Sequence, residues 1–250
     1  MAEFDRPTVA ARPDAGVAID QGLRSYMLRV YNYMGIGLVL TGVVAYFTYT
    51  AAFVEQNGRL VGLTSFGNVI FNSPLQWVIM LAPLAFILVL SFGINKLSVG
   101  TTQILFWVFA AVMGLSLASI FAVYTSGSIA KVFFIAAAMF GGMSLYGYTT
   151  KRDLTSIGSF LVMGLWGLII ASVVNVFWPS GALGFGISIL GVVIFLGLTA
   201  WDTQKIKESY NEGHGAELLA KSAIMGALNL YLDFLNLFLM LLRLVGNQRN

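Results

Sequence analysis

The chain of 250 residues contains no cysteine, a single histidine and only 10% charged residues. Each scarcity removes a class of chemistry. Without cysteine there is no disulfide, no thiolate nucleophile and no cysteine metal site. His214 lies between Gly213 and Gly215, outside every apolar run, so an intramembrane serine–histidine pair is excluded. A soluble domain carries about 25% charged residues. Here 58% of residues are hydrophobic and the mean hydropathy is +0.83. The net charge of +3 does not point to nucleic acid, because the basic residues follow membrane topology.

Uncharged apolar stretches of about 20 residues occur seven times. They run over Val30–Phe53, Leu75–Ile94, Gln103–Tyr124, Ser128–Tyr148, Leu154–Trp178, Ala182–Trp201 and Ser222–Val245. The expected fold is therefore all-α and integral to the membrane. Three regions are expected: a disordered cytoplasmic tail over 1–29, a seven-helix domain over 30–246 and a short C-terminal tail over 247–250. Met1–Arg29 mixes acids with arginines and has no apolar core, so it does not read as a signal peptide. With the N-terminus cytoplasmic, ten basic residues fall on the inner side and four, Arg59, Lys131, Arg243 and Arg249, on the outer side. Lys131 and Arg243 lie near enough to span ends to reach the interface. The polar face of the last span keeps a second topology open, with the C-terminus also cytoplasmic. Glu55–Ser73 reads as an outer loop rich in glycine and asparagine. Trp77, Trp178 and Trp201 read as interfacial anchors, and Pro83 as a kink in the second span.

The last span carries the most informative residue. Asp233 stands near its middle, where a carboxylate costs about 2.5–3.5 kcal/mol on insertion scales. At about 100° per residue, Ser222, Gly226, Asn229, Asp233, Asn236, Met240 and Arg243 share one arc. A second acid, Asp202, follows Trp201 at the inner end of the preceding span. Symmetry about the Gly213–Gly215 turn would set Asp202 beside Met225, so a meeting of the two acids requires an asymmetric connection. Two carboxylates in one low-dielectric site cannot both ionise; they share a proton. Such a pair closes when protonated and repels itself when deprotonated. Alternatively, Asp233 is a plain hydrogen-bonding node between helices, and Asp202 a helix-end carboxylate in interfacial water. Asn229 and Asn236 add amide oxygens suited to a hard cation. Calcium takes six to eight oxygens, so Asp202 and Asp233 are expected to hold it weakly and transiently, as a transported ion and not a resident cofactor.

Enzyme readings fit poorly. A retinal-type Schiff base needs a lysine in mid-membrane on the last span, where the chain has only Lys221 at the rim. Intramembrane aspartyl proteases place their second acid in Gly-x-Gly-Asp, whereas Asp233 follows Leu230-Tyr-Leu232. Two segments, Ala200-Trp-Asp-Thr-Gln-Lys-Ile-Lys-Glu-Ser-Tyr210 and Ala227-Leu-Asn-Leu-Tyr-Leu-Asp-Phe-Leu-Asn-Leu-Phe238, resemble the closing signature of the transmembrane Bax inhibitor motif family. Met143-Ser-Leu-Tyr-Gly-Tyr-Thr-Thr-Lys-Arg-Asp153 is similar to the junction of that family's fourth and fifth spans in its bacterial form. The resemblance runs from about Gly22 to Gly246. It implies seven helices with the last one central and wrapped by the other six. It also implies a bacterial inner-membrane protein acting as a pH-sensitive calcium leak, with Asp202 and Asp233 as its proton-sensing latch. The family pattern pairs leak activity with an acid and an arginine in the second span. Here Pro74–Asn95 has no charge, and Gly93 stands where the arginine is expected. The alternative expectation is thus a non-conducting regulatory partner of a membrane quality-control protease.

Overall fold

The computed structural model of the chain describes residues 15–56, 59–211 and 213–249. Seven of its helices are long and apolar enough to cross a membrane. The chain is an integral membrane protein. α1 (Ala15–Ala52) leads into a hairpin of β1 (Phe53–Gln56) and β2 (Arg59–Leu63), then a short α2 (Ser65–Phe71). α3 (Leu75–Gly93), α4 (Val99–Leu117), the one-turn α5 (Ile120–Val123), α6 (Ser126–Thr149) and α7 (Thr155–Phe177) follow. α8 (Gly181–Glu208) and α9 (Ala216–Val245) complete the bundle.

Two sequence expectations are revised. Residues 15–29 were assigned to the tail but form the start of α1. Arg24 and Arg29 are exposed there while Tyr26, Met27 and Val30 are buried, so this end of the helix is held by packing despite its charges. The rest of the tail, 1–14, lies outside the described residues. The loop expected over Glu55–Ser73 contains an antiparallel hairpin pairing Phe53 with Leu63, and then α2. Thr64 caps α2 by accepting the Gly67 amide at 3.0 Å. Trp201, unlike the exposed Trp77 and Trp178, is only partly exposed and packs its ring on Gly158. Pro83 is accommodated inside a continuous α3.

α9 is the most enclosed helix. In its most apolar 18-residue window 72% of residues are buried, against 11–33% in the other six spans. α8, α1, α6 and α4 pack directly on it, while α3 packs mainly on α4 and α7 on α8. These four helices make the main contacts with α9. Aromatic and hydroxyl groups set this core. Tyr231, fully buried, hydrogen-bonds Thr41 of α1 at 2.7 Å, and the one Thr41 hydroxyl proton is shared between Gly37 O and Ala110 O, 2.9 and 2.8 Å away. Phe106 and Phe109 of α4 meet the Tyr231 ring edge-on. The tie joins α1, α4 and α9 at one point.

The end of the bundle where α1 begins is knitted by the segment after Ala200. Gln204 accepts the Leu154 amide through Oε1 and donates through Nε2 to Arg152 O, both at 2.8 Å. Lys207 Nζ donates to Tyr148 O at 2.8 Å, at the C-terminal end of α6 where a cation is favoured. At the start of α7, Asp153 Oδ1 accepts the Thr155 amide at 2.8 Å, and hydrogen bonds from Thr155 hold its carboxyl below the usual range. Gln204→Ala is expected to destabilise the fold by about 1–3 kcal/mol, because two backbone groups of the α6–α7 connection lose their partner. Thermal unfolding checks this. Gln204→Glu should not rescue it, since a carboxylate cannot donate to Arg152 O.

At the opposite end the C-terminal residues lie across the bundle. Gln248 bridges Tyr124, and Arg249 N donates to Val123 O at 2.9 Å. The Arg249 guanidinium donates to Tyr49 Oη at 2.8 Å and to Glu55 Oε1 at 2.6 Å. The strap thus ties the end of α9 to the end of α1 and to the α5–α6 junction.

Candidate functional site

The pairing of α8 with α9 is offset in the way a meeting of the two acids requires. Gly226 packs on Ile206 and Gly191 on Met240. Ile206 stands two residues before the end of α8, whereas Gly226 stands ten residues into α9. α9 therefore projects about 12 Å beyond α8 at 1.5 Å per residue. The seven residues 209–215 can span about 23 Å when extended, enough to make that climb. Tyr26 fixes the connection by stacking near Tyr210, with ring centroids 5.4 Å apart, and by hydrogen-bonding Ser209.

This offset sets Asp202 and Asp233 opposite each other across the α8–α9 interface, close enough for each carboxyl to act on the other. Asp233 is buried, and its Oδ2 has no donor among the described residues. Asp202 is partly exposed, with Lys205 one turn further along α8. Two carboxylates offer only acceptors, so a hydrogen bond between them requires a proton on one. With that proton the pair is a closed contact. Without it, two negative charges face each other in a protein interior.

The polar stripe of α9 divides in two. Gly226, Asp233 and Met240, seven residues apart, are buried, and each is placed against α8. Ser222, Asn229, Asn236 and Arg243, also seven residues apart, are partly or fully exposed. An arc of about 100° is wider than one helix can cover, so half of the stripe forms an open seam beside the buried line. The expected cation-pathway residues lie on this seam and not in the pair itself. Asn236 Nδ2 is turned back to Leu232 O at 2.8 Å. Among the described residues no three His, Cys, Asp or Glu side chains cluster in a way that would hold a metal ion. His214 is exposed. Asp202 and Asp233 thus supply two carboxylates, far short of a full calcium shell.

Sequence reasoning missed the supports of the pair. Thr203, next to Asp202, hydrogen-bonds Ser144 of α6 at 3.0 Å, and Ser144 in turn bonds Tyr31 of α1 at 2.6 Å. Gly147 lies against the Ala200 backbone carbonyl. Their sequence mark is slight: Ser144 and Gly147, three residues apart, put two small residues on one face of α6, which suits a close crossing without singling it out among the other small residues of the helix.

Comparison with known proteins finds relatives over nearly the whole chain. A family model described as "Inhibitor of apoptosis-promoting Bax1" matches residues 23–250. The chain is 51% identical to protein RP147 of Rickettsia prowazekii over 231 residues, 92% of this chain and 93% of the relative. It is 47% identical to the inner membrane protein YbhL of Escherichia coli K12 over 240 residues, 95% of this chain and 98% of the relative. A membrane protein of Streptococcus pyogenes, SpyM3_0260, is 31% identical over 228 residues, 91% of this chain and 94% of the relative.

Proposed function

The chain belongs to the Bax inhibitor family, and from that premise we propose that Asp202 and Asp233 form a proton-operated latch on a slow calcium pathway. The observation that carries the proposal is the juxtaposition of Asp202 and Asp233 across the α8–α9 interface. Protonated, the pair holds α8 and α9 together. Deprotonated, it pushes them apart beside the seam of Asn229 and Asn236, whose amide oxygens line the way for a cation. The pair and the two asparagines bind calcium only in passing, because water or backbone must supply most of its oxygens.

The orientation belongs to the same proposal. Among the described residues, the end of the bundle that carries the N-terminus holds Arg24, Arg29, Lys96, Lys151, Arg152, Lys205, Lys207 and Lys221; the other holds Arg59, Lys131, Arg243 and Arg249. That bias favours a cytoplasmic N-terminus and an outer C-terminus. The membrane would be the bacterial inner membrane, as the name of the Escherichia coli relative indicates for that protein.

In proteoliposomes, calcium entry through the wild-type protein is expected to rise as pH is raised through the pair's titration. Entry equal to that of empty vesicles at every pH would sink the proposal. A second reading, a non-conducting regulator of a membrane quality-control protease, is favoured by one feature: α3 carries no charge to pair with an opened latch. It predicts a specific membrane complex that co-purifies with the wild type and survives Asp233→Asn. Absence of any reproducible partner in a wild-type pulldown counts against it.

A further inference from the structure

A cavity of about 580 Å³ opens between the ends of α7, α8 and α9 at the C-terminal end of the bundle. Its size suits a small ligand or a lipid headgroup. Ser172 and Asn175 of α7, Gly184 and Ser188 of α8 and Arg243 of α9 line it, and no acidic residue does. The ion pairs among the described residues are Lys221–Glu217 and Arg249–Glu55. Arg243 therefore faces the cavity with its charge unmatched. Its neighbour Arg249 shows the contrast, with its charge satisfied inside the protein.

The rest of the lining also presents donors. Asn175 Oδ1 is occupied by the Ser180 amide at 3.0 Å, which leaves the Asn175 amide nitrogen to the cavity. That nitrogen lies 3.6 Å from where a Cβ on Gly184 would stand, so it sits against the α8 wall of the cavity. The start of α8 forms one wall and adds the positive end of its dipole. Beyond the polar floor, Val176 and Phe185 are exposed apolar walls. A cation, an amide donor and apolar flanks at a membrane-boundary level match an anion attached to an apolar body.

We propose that this cavity binds a phosphate-bearing anion, with Arg243 as its charged anchor and Asn175 as a neutral donor. A guanidinium and a phosphate pair through two parallel hydrogen bonds. The chemistry is shared by a phospholipid headgroup and a soluble phosphate, and the two differ in whether the apolar walls contribute. The inference does not depend on the proton latch.

The test uses the full chain purified in detergent, titrated separately with short-chain phosphatidylglycerol, diacylglycerol of equal chain length and inorganic phosphate. Native mass spectrometry counts the bound molecules. Phosphatidylglycerol is expected to bind saturably, and Arg243→Gln to weaken it about tenfold or more. Arg243→Lys should restore part of the loss. Asn175→Asp, which sets a carboxylate in the cavity, should weaken binding independently, and Arg249→Gln should leave it unchanged. Inorganic phosphate binding with the same Arg243 dependence supports a soluble anion as the occupant; phosphatidylglycerol binding alone supports the lipid. Binding by Arg243→Gln as tight as by wild type overturns the proposal. So does diacylglycerol binding as tightly as phosphatidylglycerol, or no saturable binding of either phosphate probe.

Discussion

Asp233→Asn is expected to leave calcium passage low and flat with pH. In the wild type, a single proton joins two acceptors, and its release leaves two anions in contact. Below the midpoint of that release, passage controlled by one proton changes by up to about tenfold per pH unit. An asparagine at 233 donates its amide to Asp202 at every pH, so the contact that a proton makes intermittently becomes permanent. Asp202→Asn should behave the same way from the other side, because the titration belongs to the pair and not to either residue. The measurement is calcium entry into proteoliposomes between pH 5 and pH 8. A wild-type pH slope in either variant would remove the pair from the mechanism.

The second large effect is structural. Gly147→Val is expected to cost about 1–3 kcal/mol or more, with lower yield and a lower thermal midpoint. A Cβ at 147 meets the Ala200 carbonyl, which is backbone and cannot rotate aside. α6 would have to back away from α8, breaking the Ser144–Thr203 hydrogen bond and shifting the segment that carries Asp202. Gly142→Val is the control. Nothing lies within 4 Å of its added Cβ, so it is expected to be close to neutral in the same unfolding experiment.

The contrast between these two glycines shows what the sequence could and could not disclose. The seven spans were legible because a bilayer imposes length and apolarity on each helix, whatever its neighbours. Asp233 was legible because its cost in hydrocarbon is high enough to demand a partner. Which glycines are crowded was not legible: Gly142 and Gly147 sit on the same helix in the same composition, and only the position of α8 separates them. The join of Asp202 to Asp233 was half legible. Spacing about the Gly213–Gly215 turn argued against it, because the two-turn overhang of α9 depends on how residues 209–215 climb, and no local pattern encodes that climb. The roles of Gln204 and Lys207 were hidden for a related reason. They read as polar residues at a helix end, and their partners are backbone groups some 50 residues earlier in the chain. The polar stripe was seen as one surface because a helical projection records direction without recording how much of the arc a neighbour covers.

The enclosure of α9 has a consequence for how the protein is made. Of the seven spans, α9, on which α1, α4, α6 and α8 pack, is the last to leave the ribosome. At about 5–20 residues per second, its 30 residues take roughly 2–6 seconds to synthesise. Until then α1, α4, α6 and α8 sit in the bilayer with their inward faces unfilled, and lipid or water must occupy the place that α9 will take. In the folded bundle Asp233 is buried beside Asp202 and not in open hydrocarbon, so its place depends on those helices being present. A ribosome stalled before Ala216 would release six helices without a centre, a form that membrane proteolysis should clear rapidly.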